Sequence, residues 1–164
     1  MNGEALAFAV IAAVTVGAAL MVVVTKNLFH AVLWLALALT GTAGVFVLLD
    51  AEFLAAVQLL LYAGGIITVV VFAIVVTERL VGERISQTSR RLGGGAVVAG
   101  GLLVALLSVI GQHPLAARRP PMAGDLTKLI GETVLTQFVL AFELLAVLLL
   151  AALLSAVYFA RPED

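Results

Sequence analysis

The chain has 164 residues, 63% hydrophobic and only 12% charged, with a net charge of −1. Soluble domains average about 45–50% apolar and about 25% charged residues, so a water-soluble fold of this size would have more apolar surface than it can hide. The near-neutral charge balance gives no electrostatic footprint for nucleic acid, and the absence of cysteine excludes disulfides, Cys-ligated metals and Cys-ligated iron–sulfur clusters within the chain.

Five apolar segments, about 6–24, 28–49, 53–76, 92–111 and 136–159, each approach the roughly 20 residues that cross a bilayer as a helix. They predict an all-α integral membrane protein with five transmembrane helices in a single membrane domain, residues 1–164. The first segment lacks the basic leader of a signal peptide and is longer than a usual signal core, so it is read as a retained span. The second begins beside His30, a structural residue near the interface. It carries Trp34 too deep for the interfacial belt, as a packing residue, and presents Ala38, Gly41 and Gly44 as a small-residue face for close helix approach. The connections around Lys26 and Asp50 are so short that the first three helices must be antiparallel neighbours in a compact unit. Asp50 and Glu52 sit at a segment junction facing water.

The third segment is the unusual one. In its middle stand Gln58, Tyr62, Ala63, Gly64, Gly65 and Ile66. Two adjacent glycines inside a helix cost roughly 1 kcal/mol each relative to alanine, so another backbone comes close here or the helix changes its local geometry. At α-helical spacing Gln58, Tyr62 and Gly65 share one face. That face either supports a water wire or bonds across helices. Glu78 and Arg79 close the segment at a solvated end.

The fourth segment is rich in glycine (Gly93–Gly95, Gly100, Gly101), yet helix remains the expectation, because irregular lipid-facing backbone is not tolerated at that depth. A polar connection with Pro114, Pro120 and Pro121 follows as a surface loop, with a short interfacial helix expected near Leu126–Ile130. The fifth segment contains Glu143, the one acid or base placed well inside a span, roughly 10 Å below the boundary at 1.5 Å rise per residue. A charge near a helix centre costs at least about 2.5–3.5 kcal/mol on insertion scales, so Glu143 should face protein, either as a proton-path carboxylate or as a docking hydrogen bond. Lys26, Arg79, Arg84, Arg90, Arg91 and Arg161 fall on one side, Arg118, Arg119 and Lys128 on the other. The richer side is expected to be cytoplasmic, with the N-terminus outside and the C-terminus inside. No repeat or inverted-half symmetry supports a stand-alone secondary transporter, and no nucleophile–base pair, phosphate loop or metal-ligand spacing suggests an active centre.

Several stretches in order, Lys26-Asn27-Leu28-Phe29-His30-Ala31, Gly44-Val45-Phe46, Leu49-Asp50-Ala51-Glu52-Phe53, Gln58, and Tyr62-Ala63-Gly64-Gly65-Ile66, resemble subunit J of bacterial NADH–quinone oxidoreductase, the counterpart of subunit 6 of mitochondrial complex I. Phe142-Glu143-Leu144-Leu145 with Val147-Leu148-Leu149-Leu150 resembles that family's closing helix. The resemblance covers about 26–79 and 138–161; the first span matches in type only, and the fourth span and long loops match poorly.

The resemblance implies a subunit of a proton-pumping membrane arm without a cofactor of its own, located in the bacterial inner (plasma) membrane. NADH, FMN, iron–sulfur clusters and quinone would belong to partner subunits, and the neighbours would be other membrane-arm subunits, including small subunits and the quinone-site subunit. It further implies a π-bulge in the third helix at Tyr62–Ile66, whose formation and loss would turn Val69 and Phe72 relative to Tyr62 and so open or close a water path. Three departures from the family pattern stand out: Gln58 where a number of relatives carry Glu, Gly65 for a commoner Ala, and Ala141 for a frequent Pro. The alternatives are the same module in a ferredoxin-, F420- or hydrogen-linked complex, a stand-alone small transporter or channel, and a purely structural assembly subunit.

Overall fold

A computed structural model describes residues 3–81, 92–112 and 126–161. The Arg-rich connection over 82–91 and the Pro-rich loop at 113–125, with His113, lie outside the described residues. The described chain is helical: α1 (Gly3–Val24), α2 (Leu28–Leu48), α3 (residues 52–81), α4 (Leu92–Gln112), α5 (Leu126–Thr136) and α6 (Val139–Phe159). All but α5 are long and apolar enough to cross a membrane, giving the five spans expected from the sequence. Side chains such as Leu20, Leu60, Leu103 and Leu149 are exposed on them. Helices apolar on every side need lipid or neighbouring protein around them, and a bilayer accepts them because each satisfies its own backbone hydrogen bonds.

The described residues fall into two compact units, one within Met1–Ala116 and the other within Ala117–Asp164. In the first, α2 is the middle helix, packed on α1 and on α3. Its contact with α1 is made of small residues. A Cβ on Gly41 would overlap Thr15 Oγ1 and sit 3.1 Å from Thr15 Cβ, and one on Gly44 would touch Ile11 at 3.4 Å. Ala18 on α1 and Ala38 and Ala43 on α2 are buried, so the Ala38/Gly41/Gly44 face is the close-approach surface its composition suggested. Trp34 is half-buried.

Short hydrogen-bonded turns join the first three helices. Asn27 caps α2, its Oδ1 accepting from the His30 N–H at 3.2 Å, as a cap asparagine does. After α2, Asp50 takes a left-handed conformation (φ 57). The Ala51 N–H donates to the Phe46 carbonyl at 2.9 Å and the Asp50 N–H to the Val47 carbonyl at 3.1 Å, the paired bonds of a Schellman helix end. In α4 every described side chain from Gly93 on is exposed, and nothing lies within 4 Å of a Cβ built on its glycines.

In the second unit the helix expected near Leu126–Ile130 runs over eleven residues, Leu126–Thr136. The Thr133 carbonyl then accepts from both the Gln137 and Phe138 N–H groups, at 2.9 and 3.1 Å, and this bend ends α5. The last span therefore starts at Val139, later than the apolar run alone suggests. Glu143 stands one turn inside it, about 6 Å from its start, shallower than the depth read from the sequence.

Candidate functional site

The site is built on α3, which changes geometry twice along its length: α-helical over Glu52–Val57, π-helical over Gln58–Ile66 and α-helical again over Ile67–Val81. The π segment is nine residues long, longer than the Tyr62–Ile66 bulge the resemblance implied. At its end the Ile67 N–H reaches back to the Tyr62 carbonyl, five residues earlier, as well as to Gly64; the five-residue step defines π geometry.

The wider turn resets which residues face the bundle. Ala55 is buried, Gln58 and Ala63 are half-buried, and Ile67 is buried again. The inward step from Gln58 lands on Ala63, not on Tyr62. Tyr62, Gly64, Gly65 and Ile66 are exposed, so the common Gln58/Tyr62/Gly65 face read from α-helical spacing is broken. Val69 and Phe72, 67% and 70% exposed, lie with Tyr62 (46%) on surface this chain leaves uncovered.

Gln58 turns to α2, where its Nε2 donates to the Leu39 carbonyl at 3.5 Å. That distance is at the long limit of a hydrogen bond, so Gln58 ties the start of the π segment to α2 only weakly. At the other end the Thr68 hydroxyl donates to the Gly64 carbonyl at 2.6 Å, reinforcing the seam where α geometry resumes. Reading the sequence missed both acceptors, since a main-chain carbonyl has no signature. Thr68 was equally illegible, because Thr15, Thr40 and Thr77 make the same backward bond in ordinary helix.

The glycines differ. A Cβ on Gly64 would come within 3.2 Å of the Leu59 carbonyl, whereas one on Gly65 would lie 3.6 Å from the Leu60 carbonyl. Of the two glycines, Gly64 is thus the one that leaves less room for a side chain. Glu143 is exposed on α6, in the other compact unit. Among the described residues no group of three or more His, Cys, Asp or Glu could hold a metal ion, and without cysteine this chain offers no thiolate to an iron–sulfur cluster.

Helices, hydropathy and the irregular third span define a multi-pass α-helical membrane protein. The chain matches the family model described as NADH-ubiquinone/plastoquinone oxidoreductase chain 6 over residues 18–159, and it belongs to that family. It is similar to F(420)H(2) dehydrogenase subunit J of Methanosarcina mazei, with 34% identity over 98% of this chain and 92% of the relative. NAD(P)H-quinone oxidoreductase chain 6 of Leptolyngbya boryana is 32% identical over 98% of this chain and 81% of the relative. NADH-quinone oxidoreductase subunit J of Escherichia coli is 31% identical over 96% and 86%. The chain is accordingly a membrane subunit of a complex I-type quinone oxidoreductase, and its partners are the other subunits of such an assembly.

Proposed function

We propose that this chain is a membrane-arm subunit of a proton-pumping NADH–quinone oxidoreductase and that the π segment of α3 is a conformational gate coupling quinone reduction to proton movement. The observation that carries the proposal is the π segment itself, Gln58–Ile66, most of which this chain leaves exposed. Returning one residue to α geometry rotates everything beyond it by about 100° relative to the start of the helix. That rotation swings Val69 and Phe72 relative to Tyr62 and so wets or dries a path shared with a neighbouring subunit. Gln58, an amide, cannot itself carry a proton at this site. Glu143, exposed on α6 one turn inside the span, faces protein and not lipid, as a proton-path or docking carboxyl. NADH, FMN, the iron–sulfur clusters and quinone lie in partner subunits. The chain sits in a bacterial inner membrane, N-terminus outside and C-terminus in the cytoplasm.

The test is Gly64→Val in the assembled complex, with quinone reduction and proton pumping measured in sealed vesicles. The branched side chain crowds the Leu59 carbonyl, so protons moved per electron should fall several-fold while some quinone reduction persists. An unchanged ratio would remove the gate from α3. A second reading, the same subunit in an F420H2-linked complex, is favoured by the similarity to the Methanosarcina protein across nearly all of both chains.

A further inference from the structure

Helix α5, Leu126–Thr136, is not explained by the gate or by the spans. Its eleven residues extend about 16 Å, half of the roughly 30 Å hydrocarbon core, so it does not cross the membrane. Nor can it leave the membrane's edge, because α6, a span, begins at Val139 and the intervening bend is fixed by two hydrogen bonds to the Thr133 carbonyl.

Its faces are sorted. Leu126, Leu129, Ile130 and Val134 fall on one side at helical spacing. Lys128 and Glu132, one turn apart on the other side, approach to 3.8 Å and are 73% and 63% exposed. Ile130 and Val134 are half-buried in a helix whose contact is with α6; Leu126 and Leu129 stay exposed beside them. Leu135, apolar on the polar side, sits in the last turn, where the chain bends into the span.

We propose that α5 is a membrane-surface helix, seated at the lipid headgroup boundary. Leu126 and Leu129 enter the outer acyl region, the Lys128–Glu132 pair stays in water, and the depth at which α6 enters the bilayer is thereby set. A short amphipathic helix in this position buries its apolar edge about 5–10 Å into the interface, and the anchoring α6 removes most of the entropic cost of bringing it there.

Because the chain has no cysteine, Leu129→Cys on the apolar side and Gly131→Cys on the opposite side, where a new side chain meets nothing within 4 Å, each introduce a single labelling site on it, with the unmutated complex as background. Each variant complex is labelled with an environment-sensitive fluorophore and reconstituted into phosphatidylcholine vesicles carrying acyl chains brominated near the headgroup. Lipid-borne bromine should quench the label at 129 several-fold more than that at 131, and aqueous iodide should show the opposite order. Equal access of iodide to both labels would place α5 in water. A label at 129 reached by neither quencher would place it under a neighbouring subunit. Either result overturns the proposal.

Discussion

Asp50 holds a backbone conformation, φ 57, that side chains other than glycine and the short polar residues adopt at a cost of roughly 1–2 kcal/mol. It does so because the chain must turn between two antiparallel spans within residues 49–51, and the Schellman bonds from Asp50 and Ala51 close the end of α2 only if that residue is left-handed. Asp50→Gly should therefore be neutral or raise the temperature at which the purified complex releases this chain, whereas Asp50→Val should lower it, by an amount matching about 1–2 kcal/mol. Native gels after stepwise heating read both. A lower temperature for the glycine variant would mean that the carboxylate has a partner of its own. At Gly64 the pressure on a side chain is different: the backbone angle is unremarkable, and it is the Leu59 carbonyl at 3.2 Å that limits what fits while the turn is π. Gly64→Ala should thus shift α3 towards continuous α geometry more than Gly65→Ala, visible in the helix register of the two variant complexes by cryo-electron microscopy.

The α1–α2 pair shows how helices associate when lipid already satisfies their apolar surface. No hydrophobic driving force separates one greasy neighbour from another in a bilayer, so close backbone approach and dispersion contacts decide pairing. Thr15 over Gly41, Ile11 over Gly44, and the buried alanines 18, 38 and 43 are that approach. Gly41→Ala should cost about 1–3 kcal/mol by overpacking and loosen the pair. Thr15→Gly in the same chain should recover part of the loss, because it removes the atoms the new methyl meets. A double-mutant cycle on the thermal release of the chain measures this coupling, and strict additivity would show the two residues not to be in contact. On the other side of α2, the 3.5 Å Gln58–Leu39 bond is a modest tie; interhelical polar contacts in membranes average about 0.6 kcal/mol. A weakly held entry and a glycine-relieved turn would keep the register change of the proposed gate low in cost.

For the molecule as a whole, the predictions concern the electron donor of its complex and its orientation in the membrane. Mild-detergent affinity capture of the tagged chain should recover a large assembly with flavin and iron–sulfur subunits. The electron-input subunit among them would separate the NADH-linked from the F420H2-linked reading; recovery of the chain alone would set both aside. A reporter fused to the C-terminus should be active in the cytoplasm, since Lys26 and the arginines at 79, 84, 90, 91 and 161 outnumber the cations of the other side. Activity outside the cell would invert the assignment.

Span number, helical class and the short turns were legible in the sequence because they are local consequences of the bilayer. A segment of about 20 apolar residues must satisfy its own backbone hydrogen bonds in lipid, whatever surrounds it. The Gly64–Gly65 pair pointed either to close approach of another backbone or to a change of helix geometry, and the π turn was supplied by family resemblance. The tertiary structure alone decided that the inward step runs from Gln58 to Ala63, that Tyr62 is left on the outer surface, and that a bend after Thr136 ends α5 and delays the last span to Val139. Those outcomes rest on main-chain carbonyls, at Leu39, Leu59, Gly64 and Thr133, that every residue carries and no side-chain pattern marks.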